Sequence, residues 1–101
     1  MTTSTLLPND LSELRAKAWV GDAILALHAR EWILREFGKV SAKKFSNLTS
    51  NKFLTTLGNP TKVEAEIGLI YERDGLDAAR AHIDAFIIPQ FQIQERNRLK
   101  R

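Results

Sequence analysis

The stretch Lys17-Ala18-Trp19-Val20-Gly21-Asp22-Ala23-Ile24-Leu25-Ala26-Leu27-His28-Ala29 constrains the fold more than any other part of the chain. It is apolar on nearly every side, contains no proline, and carries one carboxylate, Asp22, directly after its single glycine. A helix that is apolar all round is buried, either in its own core or against a partner chain. An ionised carboxylate in such a place is costly unless a metal ion, an Arg or Lys, or a helix N-terminus compensates it. Gly21 costs a helix about 1 kcal/mol relative to Ala, which points to another backbone or a ligand coming close there. The plainer alternative is that Asp22 pairs with an arginine and Gly21 only eases helix packing.

The rest of the chain reads as helices around this one. Asp10-Leu11-Ser12-Glu13 has capping-box spacing, so the first helix starts there. Its apolar positions run through Leu14, Ala18, Leu25, Ala29 and Trp32, with further ones at Val20, Ile24, Leu27, Leu34 and Phe37, until Gly38 ends it after roughly seven turns. Ser41 caps a second stretch bearing Phe45, Leu48, Phe53, Leu54 and Leu57, and Thr49-Ser50-Asn51 is placed to break it in two. Asn59-Pro60 joins a cap residue to proline at the first helical position, opening a helix with Val63, Ile67, Ile70 and Tyr71 as its core residues. After Asp74-Gly75, the run from Leu76 to Ile88 turns Ala79, Ile83, Phe86 and Ile87 inward, and Pro89 stops it. No run of alternating residues makes a strand. The expectation is one all-α domain over residues 10–89, preceded by an arm at 1–9. A basic tail at 90–101 follows, either a free arm or a partly docked helix end, whose Phe91 and Ile93 need a surface to rest on.

With 101 residues the chain suffices for one domain. It has no cysteine, which excludes disulfide staples and thiolate metal sites. No apolar run is long enough to cross a bilayer, and Met1-Thr2-Thr3-Ser4-Thr5 lacks the basic and apolar regions of a signal peptide, so a soluble cytoplasmic protein is expected. The net charge of +3 is unevenly spread. Lys39, Lys43, Lys44, Lys52 and Lys62 lie in a segment without acids, the next segment to Pro89 is acidic, and Arg96, Arg98, Lys100 and Arg101 mark the tail. Such a distribution suits a phosphate-facing surface beside a cation site, or simply solvated helix faces.

Several chemistries are absent from the pattern. There is no phosphate-cradling glycine loop, dinucleotide fingerprint, zinc motif or nucleophile elbow, and His28 and His82 stand alone as helix-face residues. What remains is carboxylate chemistry: Asp22 in the first helix with Glu64 or Glu66 from the helix after Pro60. Glu64 and Glu66 are two apart, so they face different ways and cannot both enter one site. A carboxylate pair drawn from two helices, with few other ligands, suits Mg²⁺ better than zinc. Magnesium acts best on phosphates, activating water and neutralising charge on the leaving oxygen.

Two segments resemble the signatures of the ribonuclease III family. Ala18-Trp19-Val20-Gly21-Asp22-Ala23-Ile24 is similar to the first. Glu64-Ala65-Glu66-Ile67-Gly68-Leu69-Ile70-Tyr71, followed by Asp74-Gly75-Leu76-Asp77-Ala78-Ala79-Arg80, is similar to the second, in the family's order. The resemblance covers most of residues 11–88 and is strongest to the Mini-III branch. It implies an all-α endonuclease domain that forms a homodimer and cleaves double-stranded RNA with Mg²⁺, or Mn²⁺ in its place. It implies Asp22 and Glu64 as metal-holding catalytic residues, and Trp19 as the aromatic that inserts into the partner chain at the dimer interface. Ala18 and Thr61 stand where the family's other two acids are expected, as in the Mini-III branch. The basic insert that such proteins carry before the second signature is nearly missing, since Leu57-Gly58-Asn59-Pro60 leads straight into it.

The function expected is thus Mg²⁺-dependent cleavage of double-stranded or structured RNA, a ribosomal RNA precursor among the candidates. Lys43, Lys44, Lys52, Arg96 and Arg98 are the phosphate contacts. The alternative is a catalytically degenerate module of the same fold, kept as an RNA-binding or dimerisation scaffold. A helical protein-interaction domain with no RNA role fits the composition but leaves both motifs unexplained.

Overall fold

The computed structural model describes residues 7–100, and Met1–Leu6 of the arm lie outside the described residues, as does Arg101. Six helices follow in order: α1 (Leu11–Phe37), α2 (Ala42–Thr49), α3 (Asn51–Thr55), α4 (Pro60–Asp74), α5 (Leu76–Phe86) and α6 (Ile88–Leu99), with no strand among the described residues.

Local chemistry sets these boundaries. Asp10 caps α1, its Oδ1 accepting from the Ser12 N–H at 2.7 Å and the Glu13 N–H at 3.3 Å. Gly38 closes α1 at φ 73°, a left-handed conformation that favours glycine. Ser41 caps α2, and Ser50 caps α3 by accepting from the Phe53 N–H at 3.1 Å, so the Thr49-Ser50-Asn51 break is real. Asn59 caps α4 with Pro60 in its first turn, where the missing N–H has no helical partner to lose.

The 27-residue α1 spans about 40 Å, close to the longest molecular dimension of 41 Å. One stripe of it, Leu14, Ala18, Gly21, Leu25, His28, Ala29 and Trp32, is buried, and α4 packs along it more extensively than any other pair of helices touches. The opposite face is open in the single chain: Trp19, Val20, Leu27 and Leu34 are exposed. An all-round apolar sequence has therefore produced a two-faced helix, with one face left uncovered. A main core gathers Leu25, Ala29, Leu48, Leu54, Ile67, Ile83 and Ile87, and a smaller cluster of Leu14, Ala18 and Ala65, with Leu7 against it, lies nearer the start of α1.

Three expectations need correction. Phe86 points outward and is 66% exposed, because Ala79, Ile83 and Ile87 already form the inward i, i+4, i+8 stripe of α5. Tyr71 is also exposed rather than in the core. Nor does Pro89 end the helical structure: it sits in the first turn of α6, where proline is tolerated. Of the two forms expected for residues 90–99, the structure shows the docked helix end and not the free arm. Phe91 is 1% exposed and makes edge-to-face contacts with Trp32 at 5.8 Å and Phe53 at 5.8 Å, so α6 belongs to the helical domain. Ile93, by contrast, stays exposed.

Candidate functional site

The site begins at a backbone contact. A Cβ placed on Gly21 would lie 1.7 Å from the Glu64 carbonyl oxygen, and one placed on Gly68 would lie 2.0 Å from the Lys17 carbonyl oxygen. The two glycines therefore let α1 and α4 cross in backbone contact. The close approach anticipated at Gly21 is a second helix, and it sets Asp22, the next residue, beside Glu64.

The carboxyl groups of Asp22 and Glu64 meet within hydrogen-bond reach. Burial first, then the hydrogen bond to Asp22 and the negative charge of Asp22, push the Glu64 pKa up from 4.5 to about 7. Asp22 is exposed and Glu64 half-buried, so the pair opens to solvent at the helix crossing. Neither carboxylate pairs with an arginine among the described ion pairs, and Lys17 next to the crossing is held by Glu72 instead.

The donors available for a cation here are hard carboxylate oxygens from two helices. They fit Mg²⁺, which takes one or two carboxylates and keeps several waters, and a divalent cation would relieve the like-charge conflict that raises Glu64. Among the described residues no three His, Asp or Glu side chains converge on one point. Ala18 is buried against Leu14 and Ala65, and Thr61 is half-buried, so neither supplies a charge.

Glu66 faces away from this pair, as its spacing requires. Its neighbour is not Lys62 or Arg73 but His82 of α5, whose Nε2 lies 3.7 Å from Glu66 Oε1, while Arg73 pairs with adjacent Asp74 at 3.1 Å. Burial holds the His82 pKa below its ordinary value against the opposing pull of Glu66. His28 is not a surface helix residue either: it is 4% exposed, with Nε2 2.7 Å from Asp84 Oδ1 and Nδ1 buried without a partner among the described residues. Arg80 Nη1 reaches Glu31 Oε1 at 2.5 Å beside it, so two polar links tie α1 to α5. No local pattern announced either link, since each joins residues some fifty positions apart.

The cations divide. Lys43, Lys44, Arg96 and Arg98 line one groove between α1, α2 and α6, whereas Lys52 on α3 does not line it. Trp19 is 81% exposed, which removes it from its own core and leaves its ring free. No helix among the described residues is long and apolar enough to cross a membrane. Comparison with protein-family models, with curated proteins and with solved structures finds no match to this chain.

Proposed function

We propose that this chain is an Mg²⁺-dependent endoribonuclease of the ribonuclease III type, closest to the Mini-III branch, cleaving double-stranded or structured RNA as a cytoplasmic homodimer. The observation that carries the reading is the Asp22–Glu64 carboxyl pair, built at a helix crossing that two glycines make possible. A solvent-open pair of like charges with one pKa raised to about 7 is the kind of perturbed group that marks functional sites. It fits the two sequence segments that resemble the family's signatures.

Asp22 and Glu64 would hold Mg²⁺ or Mn²⁺, which when bound supplies Lewis-acid polarisation of a phosphodiester and of the attacking water. The chain's own residues set the rest. Glu64 keeps a proton below about pH 7, and a cation held by the pair would take that proton's place. The backbone contact at Gly21 and Gly68 fixes the spacing of the two carboxyls, because neither helix can approach further. The open apolar face around Trp19 is the surface for the second copy.

One observation favours the scaffold reading. Ala18 is packed in an apolar cluster with Leu14 and Ala65, so the position of a family acid has been given to the core. Cleavage of a perfectly paired RNA with Mg²⁺, compared with EDTA and with Asp22→Asn, separates the two. Mg²⁺-dependent cutting that Asp22→Asn abolishes supports the nuclease, and RNA binding without cutting supports the scaffold.

A further inference from the structure

A groove of about 530 Å³ runs between the C-terminal end of α1, the start of α2, and α6. Its walls carry Lys43 and Lys44 from α2 and Arg96 and Arg98 from α6, with Phe37 of α1 at the edge. Two acids, Glu36 and Glu95, also line it. Glu95 is already neutralised, since Arg98 Nη1 lies 2.5 Å from its Oε2 and Lys44 Nζ 3.6 Å from its Oε1. Lys44 is further held over the Phe37 ring, 4.3 Å from its centroid. Glu95 therefore acts as a post that fixes two cations in place, while Lys43 and Arg96 stay exposed with no acid recorded against them among the described residues. The groove keeps an excess of positive charge over an apolar floor of Trp32 and Phe91.

We infer that this groove is a second RNA contact, an anchoring site for the phosphate backbone of a strand whose scissile bond lies at Asp22 and Glu64. The inference rests on the RNA reading above. Phe37 lies 15 residues beyond Asp22 on the same helix, about 22 Å away, so the groove and the carboxyl pair are distinct places on one rigid rod. Charge complementarity selects the occupant: cations held by Glu95, beside exposed cations without an acid partner among the described residues, suit a row of phosphates. The exposed edge of Phe37 adds a surface for a sugar or base. The preference among nucleic acids is set by backbone charge and shape, not by base sequence.

The test measures binding of a perfectly paired RNA duplex by fluorescence anisotropy across a salt series, with Asp22→Asn present throughout to prevent cutting. Adding Lys43→Ala and Arg96→Ala together weakens binding about tenfold at moderate salt and reduces the salt slope by about two. Lys62→Ala, exposed and outside the groove, leaves affinity and slope unchanged. Both groove residues are exposed, and circular dichroism checks that the double variant stays folded. Equal binding with and without Lys43 and Arg96 overturns the inference, as does absence of duplex binding by the parent, or tighter binding of a poly-glutamate peptide than of the duplex. Cleavage by the wild type with groove-independent binding removes the groove alone. Groove-dependent binding by a protein that never cuts removes the nuclease reading alone.

Discussion

Gly21 of α1 and Gly68 of α4 face each other so closely that a Cβ on Gly21 would lie 2.9 Å from the Gly68 nitrogen and 1.7 Å from the Glu64 carbonyl oxygen. The clash is with backbone, which cannot rotate away. Gly21→Ala must push the helices apart, and the roughly 1 kcal/mol that alanine gains in helix propensity does not offset this. We expect a net loss of about 2 kcal/mol, read as a fall in Tm of about 10 °C. The same variant should move Glu64 back toward an ordinary pKa, because its contact with Asp22 depends on that crossing.

Glu64 also makes stability depend on pH. Its folded pKa of about 7 lies above the usual 4.5, so between these values the folded state binds more protons than the unfolded one. Stability from this group is therefore full below about pH 4.5 and is lost as pH rises through about 7. His82 works the other way: its lowered pKa makes stability fall as pH drops below 6.5. Urea unfolding at pH 5 and pH 8 separates them by difference. Glu64→Gln should remove the alkaline loss and leave the acid loss.

Phe91 decides whether the C-terminal segment is part of the domain. Its ring is buried between Trp32 and Phe53. Phe91→Ala should cost about 3–5 kcal/mol in a chemical-denaturation experiment. Deletion of a free arm would cost nothing. Ile93→Ala, on an exposed position of the same helix, should change stability by less than about 0.5 kcal/mol.

Trp19 carries the dimer expectation. Because the ring is 81% exposed, Trp19→Ala should leave the helical content and the unfolding of the single chain nearly unchanged. It should shift sedimentation from dimer toward monomer, since a large aromatic at the centre of an interface carries a disproportionate share of its affinity. A wild-type chain that sediments as a monomer at high concentration would contradict this.

Much of the architecture was legible from local rules. Asp10, Ser41, Ser50 and Asn59 are short polar residues at helix starts, Gly38 is a left-handed stop, and each acts over three or four residues. Gly21 was legible for the same reason: its cost in a helix demands a neighbour, although not which one. The Asp22–Glu64 meeting rests on the motif resemblance, because spacing within one helix says nothing about the next. The misplacements are all tertiary. Pro89 has the same chemistry at a helix stop and in a first helical turn, and only the pocket between Trp32 and Phe53 makes it the latter. Phe86 looked inward by composition, but the stripe of Ala79, Ile83 and Ile87 had no room for a fourth side. The His28–Asp84 and Glu66–His82 pairs, and the groove joining Lys44 to Glu95, each link distant segments and leave no periodic trace.

On the proposed function, Asp22 and Glu64 act as one cation-holding pair. Carbon NMR of the Glu64 carboxyl, titrated over pH with and without Mg²⁺, tests it most directly. A midpoint near pH 7 is expected without metal, moved downward by Mg²⁺ because the cation competes with the proton, with the Mg²⁺ effect lost in Asp22→Asn. A Glu64 midpoint near 4.5 that Mg²⁺ leaves in place would contradict the pair, and with it the nuclease built on it.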